Sequence, residues 1–143
     1  MRRTLSIAAL AFACTATWGQ PAPADDSVYR AWGGQTGIRA VMEDFVVRLK
    51  ADARTGPFFK DANRENLVAQ LTDQLCQVSG GPCRYAGGRM GPVHEEMNIG
   101  KGDFNALVEV LQQSMDAKGI PFAAQNGMLA RLAPMHREII TKD

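Results

Sequence analysis

The sequence lacks a surplus of charge of either sign: 16 Lys and Arg stand against 15 Asp and Glu, a formal net charge of +1. That balance leaves no electrostatic footprint for nucleic acid. Cysteine is scarce, three in 143 residues, too few for a fold built on disulfides. The apolar run at the start, Leu5 to Trp18, is too short to span a bilayer. No segment alternates convincingly with period two, and no internal repeat is present. What remains is ordinary for one globular domain: 45% hydrophobic and 22% charged residues, which argue against a disordered chain, a collagen-like fibre and a coiled coil.

The first residues read as an export signal. Arg2 and Arg3 precede the uncharged run, and Ala22-Pro23-Ala24 supplies the small-x-small pattern for cleavage before Asp25. The expected organisation is a signal peptide at 1–24 and a folded domain at 25–143. Without residues 1–24, which carry two Arg and no acid, the formal balance becomes −1. Ala11-Phe12-Ala13-Cys14 is loosely like a lipoprotein cleavage box, so membrane attachment is expected only through a lipid on Cys14. Arg2-Arg3 is weakly similar to a twin-arginine signal. The expected location is periplasmic or otherwise exported.

From Asp25 onward the punctuation predicts short helices joined by glycine turns. Ser27 can cap a helix through Trp32, ended by Gly33-Gly34. Gly37 to Ala51 carries Ile38, Val41, Met42, Phe45, Val46 and Leu49 at steps of three and four, an amphipathic helix with a wide apolar stripe. Gly56-Pro57 breaks it, and Phe58-Phe59 forms an aromatic corner. Asn63 can cap a helix over 64–78, with Leu67, Leu71, Leu75 and Val78 as its stripe and Gly80-Gly81-Pro82 as its stop. Tyr85 to Gly91 reads as a loop, after which Pro92 can open a short helix around His94. Asp103 can cap a helix holding Phe104, Leu107, Val108, Leu111 and Met115, ended by Gly119. Pro121 opens the last helix, and Pro134 kinks or breaks it. The fold class is all-α.

His94 is the most informative polar residue. Met97 would share its helix face and Met90 lies just before, so the imidazole can point into apolar surroundings. A neutral imidazole there is either a satisfied core histidine or a metal ligand. His136, followed by Arg137 and Glu138, reads as a surface residue. Cys76 and Cys83 flank the Gly-Gly-Pro turn, and their spacing leaves a disulfide and two free thiols both open. It does not suit a standard zinc pair.

The order of motifs adds more than any one of them. Trp32-Gly33-Gly34 is followed by Glu43-Asp44-Phe45, Phe58-Phe59, Leu75-Cys76, Gly80-Gly81-Pro82, Tyr85, Val93-His94 and Asn98-Ile99. This series resembles the truncated haemoglobins of group I over roughly Val28 to Ile140. The resemblance implies a two-over-two helical sandwich around a haem, with His94 as the proximal iron ligand. It also implies that Phe45, Phe59, Leu67, Leu71, Tyr85, Met90, Val93, Met97, Ile99, Phe104 and Leu107 line the haem. Arg64, Arg84 and Arg89 can meet haem propionates, or be solvated surface charges.

The distal side departs from that family. Its members usually place a tyrosine directly after the phenylalanine that matches Phe45, where the hydroxyl can bond oxygen. Here that position is Val46, which has no donor, and the positions where a glutamine often assists are Leu67 and Leu71. Each charge-assisted hydrogen bond lost from an oxygen ligand costs on the order of 1.5–3 kcal/mol. Gln74 shares a helix face with Leu67 and Leu71, and its amide either reaches the ligand or faces solvent.

The expected function is reversible binding of a diatomic gas, oxygen, carbon monoxide or nitric oxide, on haem. A haem-dependent nitric oxide dioxygenase or peroxidase-like enzyme is the alternative, and it needs an external electron donor. A haem-free helical interaction domain, with His94 merely structural, is the third reading.

Overall fold

The described residues are 25–142 of a computed structural model, and their regular structure is entirely helical. The elements are α1 (Ser27–Ala31), α2 (Gly34–Ala51), α3 (Gly56–Phe59), α4 (Arg64–Val78), α5 (Met90–His94), α6 (Lys101–Ala117), α7 (Phe122–Leu132) and α8 (His136–Ile139). A 3-10 turn at Ala133–Met135 joins α7 to α8. The expected signal at 1–24, including Cys14, lies outside the described residues.

The stripe read from the sequence of α2 is its buried face: Ile38, Val41, Met42, Phe45, Val46 and Leu49 are all out of water. Burying each such side chain contributes about 1.5–3 kcal/mol. α2 packs against both α4 and α6, while α7 packs against α4 and α1. The helix begins at Gly34, three residues before the glycine expected to open it. Gly37 has a different task, because a Cβ there would run into the Trp32 carbonyl. Its bare Cα lets the first turn of α2 close over Trp32, whose indole N–H donates to the Ala124 carbonyl at 3.0 Å. Ser27 is not a cap. It is the first helical residue, and its backbone N–H bonds the Asp25 carboxylate at 3.1 Å.

α4 has the bounds the sequence predicts, and Asn63 caps it by accepting the Asn66 N–H at 2.9 Å. Its C-terminus closes as a Schellman turn. The Gly81 N–H bonds the Cys76 carbonyl at 2.8 Å and the Gly80 N–H bonds that of Gln77 at 3.2 Å. Gly80 sits at φ 89°, which any larger side chain would strain. Asp103 lies in the first turn of α6 instead of before it, and its carboxylate accepts the N–H of Gly100, the residue at the cap position, at 2.9 Å. Pro134, which lacks an N–H, breaks the last helix into α7, the 3-10 turn and α8.

An ion-pair clasp joins the end of α2 to α6. The Arg54 guanidinium bonds Asp52 at 2.8 Å and Glu109 at 2.6 Å. The Arg54 side chain and backbone N–H hold the Asp52 carboxyl at about 2, below its ordinary 3.8. A depressed carboxyl favours the folded state at pH values above its unfolded value, and that contribution fades as pH falls towards the folded one. Stability measured by urea unfolding should therefore decline between about pH 4 and pH 2. In Asp52→Asn that part of the decline should be absent, and an unchanged acid profile would contradict the clasp.

Candidate functional site

The helices enclose a cavity of about 600 Å³, within the roughly 300–1,000 Å³ usual for a small-molecule or cofactor site. Met42 and Phe45 come from α2, Phe59 from α3, Leu67, Leu71 and Gln74 from α4, and Phe104 and Leu107 from α6. Tyr85 from the loop, Met90, Val93 and His94 from α5, and Met97 just beyond it complete much of the wall. Twelve of the fourteen residues expected at the site are thus brought together.

Two are not. Val46 is fully buried among core side chains and does not reach the cavity. It follows Phe45 by about 100° around the helix, and its short side chain is absorbed by packing. Ile99 lines a smaller neighbouring cavity. Between Met97 and Ile99 stands Asn98, whose left-handed backbone at φ 54° turns the chain away. The sequence reading also missed Asn66 and Gln70, which line the main cavity. Asn66, Gln70 and Gln74 recur every four residues, a signal that would have placed them on one face. Met135 was missed because the break at Pro134 ends any helical spacing.

His94 is half-buried in this wall. Its Nδ1 lies 2.7 Å from the Met90 carbonyl oxygen. A carbonyl only accepts, so Nδ1–H donates, and in the neutral ring Nε2 then carries the lone pair. Metal-bound histidines are commonly oriented in this way. His136 is exposed as expected, with its ring edge-on to Phe104 at a centroid distance of 6.2 Å.

Gln74 is 8% exposed, which overturns the solvent-facing reading. Its amide N–H groups meet only two thioethers, Met90 Sδ at 3.4 Å and Met135 Sδ at 3.7 Å. Sulfur is a weak acceptor, so this donor can be drawn to a stronger one. Tyr85 is already engaged: its hydroxyl donates to the Gly88 carbonyl at 3.0 Å.

The donor set fits a metal that brings most of its own ligands. Among the described residues no group of three His, Cys, Asp or Glu side chains could hold a bare ion. A single imidazole in a large apolar cavity instead suits a planar, mostly apolar metal cofactor needing one axial protein ligand. Arg64, Arg84 and Arg89 are exposed, and each is next to, or within two or three residues of, a residue of the wall.

Cys76 and Cys83 form a disulfide across the Gly-Gly-Pro turn. Within the clamped segment the Gln77 amide oxygen accepts the Tyr85 N–H at 2.7 Å. The bond therefore ties the end of α4 to the loop that delivers Tyr85 to the cavity.

A helical sandwich enclosing an apolar cavity with one imidazole in its wall defines the class as globin-like. Comparison with known proteins agrees. The family model of the bacterial-like globins matches residues 27–141. The group 1 truncated haemoglobin GlbN of Mycolicibacterium paratuberculosis is 30% identical over 115 residues, 80% of this chain and 85% of that one. The group 1 truncated haemoglobin of Tetrahymena pyriformis is 31% identical over 100 residues, 70% of this chain and 83% of that one. The crystal structure of the truncated haemoglobin from Tetrahymena pyriformis in its Fe(III) form superposes with a TM-score of 0.77 at 28% identity. It covers 80% of this chain and 98% of that one. The chain belongs to the bacterial-like globin family, among the group 1 truncated haemoglobins, and has their two-over-two fold.

Cross-linking this short segment should stabilise the fold by about 2–3 kcal/mol through the unfolded chain. Urea unfolding of Cys76→Ser/Cys83→Ser against the oxidised parent measures it. Equal midpoints would show that the bond restrains nothing.

Proposed function

We propose that the chain is a haem-binding globin that reversibly binds a diatomic gas, with His94 Nε2 as the proximal ligand. The observation that carries this reading is the His94–Met90 hydrogen bond at 2.7 Å, which presents a lone pair from the wall of the 600 Å³ cavity. Haem, held by His94, would supply an iron able to take up a gas molecule.

This chain's own residues set the surroundings of that ligand. Phe45, Phe59, Leu67, Leu71 and Phe104 give the cavity an apolar lining that offers water no hydrogen-bond partner. Gln74 is the donor placed to turn from its thioether partners towards a polar ligand. Carbon monoxide and nitric oxide develop less charge than oxygen and need that donor less. Arg64, Arg84 and Arg89, exposed and close in sequence to wall residues, are the candidates for carboxylates, since a guanidinium matches their geometry.

The dioxygenase or peroxidase-like alternative is not favoured. The polar side chains that join His94 on the wall are the amides of Asn66, Gln70 and Gln74 and the engaged hydroxyl of Tyr85. An amide does not carry protons to and from a substrate at neutral pH.

Haem titration followed by reduction and gas exposure tests the reading. The parent should take up one haem with a sharp band that shifts with carbon monoxide, and His94→Ala should lose that retention. Gln74→Leu should keep haem but weaken oxygen binding roughly 10- to 100-fold, the equivalent of one charge-assisted bond, with carbon monoxide affinity little changed. No saturable uptake by the parent would sink the proposal.

We further propose that residues 1–24 are an export signal. The Cys76–Cys83 disulfide supports an oxidising compartment. N-terminal sequencing of the cell-envelope fraction should find Asp25 first. A chain retained in the cytoplasm with Met1 intact would refute export.

A further inference from the structure

The chain carries seven methionines, and the described ones fall into two sets. Met42, Met115 and Met128 have no exposed surface. Met90, Met97 and Met135 are half-buried, and all three line the main cavity. A thioether is soft and readily oxidised, but an oxidant must first reach the sulfur. A small water-borne oxidant reaches the second set and not the first.

Within that second set, Met90 and Met135 share a neighbour. α5 supplies Met90, and the 3-10 turn that follows the break at Pro134 supplies Met135. Their sulfurs lie 3.4 Å and 3.7 Å from the same atom, Gln74 Nε2. One amide nitrogen carries two N–H groups, so each sulfur can take one. The Gln74 amide is only 8% exposed, and both its acceptors are weak. Adding an oxygen to either sulfur changes that balance, because a sulfoxide is polar and its oxygen accepts strongly.

We propose that Met90 and Met135 form a paired oxidation site, at which hydrogen peroxide converts a thioether into a sulfoxide that captures the Gln74 amide. One thioether and one peroxide give one sulfoxide and one water. The O–O bond breaks, an S–O bond forms, sulfur gives up two electrons, and both peroxide hydrogens leave in the water. The new oxygen takes a Gln74 N–H from sulfur and holds the amide as the Gly88 carbonyl holds the Tyr85 hydroxyl. Oxidation at Sδ does not touch the Met90 carbonyl, which goes on accepting His94 Nδ1–H. Capture of the amide rests on these contacts alone; that capture weakens oxygen binding rests on the function proposed above.

Limited hydrogen peroxide treatment of the full chain, both haem-free and carbon monoxide-bound, tests the site. Peptide mass spectrometry should find Met90 and Met135 oxidised before Met42, Met115 and Met128. The side-chain amide resonances of Gln74 should shift in the oxidised parent and return after treatment with methionine sulfoxide reductases. In Met90→Leu/Met135→Leu, compared with itself before and after peroxide, they should not move. If that variant does not fold, reversal by the reductases in the parent makes the same comparison. Oxygen affinity of the oxidised parent should fall roughly 10- to 100-fold, as in Gln74→Leu, and oxidising Gln74→Leu should lower it no further. Equal oxidation of the two methionine sets in a chain whose amide spectrum stays folded overturns the proposal. So does a Gln74 amide that does not respond to oxidation of either partner. A parent that takes up no haem refutes the function proposed above instead, and the haem-free masses and amide shifts still decide the site.

Discussion

A site of about 600 Å³ among the helices of a small domain takes the place of side-chain core, so its walls must be held from outside it. The bonding pattern follows from that constraint. The strong long-range ties lie around the cavity, and the weak Gln74–Met135 contact is on its wall. Trp32 joins the first turns to α7, and Arg131 reaches the Val78 carbonyl at 3.1 Å and the Asp25 carboxylate at 2.7 Å. Arg54 joins α2 to α6, and the disulfide holds the end of α4 to its loop. Dense packing is confined to the α2 stripe and the helices that cover it, which form the rigid side from which the rest of the wall is built.

α4 shows how one helix serves both demands. Val68, Thr72 and Cys76, four apart, are fully buried in the helical core, and the Thr72 hydroxyl satisfies itself on the Val68 carbonyl at 2.7 Å. Leu67, Leu71 and Gln74 line the cavity instead, so the leucine stripe that reads as core is also the wall of a site. Sequence periodicity records that a residue avoids water. It does not record whether a neighbouring side chain or a cofactor covers it.

That distinction sets what was legible. The bounds of α4, the Asn63 cap, the α2 stripe and the break at Pro134 are local consequences of spacing, capping and a missing N–H, and each could be read directly. The start of α2 could not, because Gly37 answers to the Trp32 carbonyl rather than to its own helix. The resemblance implies Ile99 in the haem wall and Val46 at the distal tyrosine's position. Rotation around α2 and the left-handed turn at Asn98 place both elsewhere, and neither is visible in composition. Gln70 was legible in its spacing from Gln74, but an exposed-looking amide gives no reason to look inward.

The distal chemistry turns on the same separation of wall and core. A tyrosine at position 46 would have to push through packed side chains to offer its hydroxyl, since Val46 itself is fully buried. The amide that faces the cavity stands instead on α4, at Gln74. A hydroxyl bonded to backbone would have to break a strong bond to serve a ligand, as Tyr85 would. The Gln74 amide leaves only sulfur, and its several rotatable bonds let it follow the ligand's charge. On the function proposed above it would gain most from the most polar ligand and little from the least, and a modest donor on a flexible stem would then discriminate between gases.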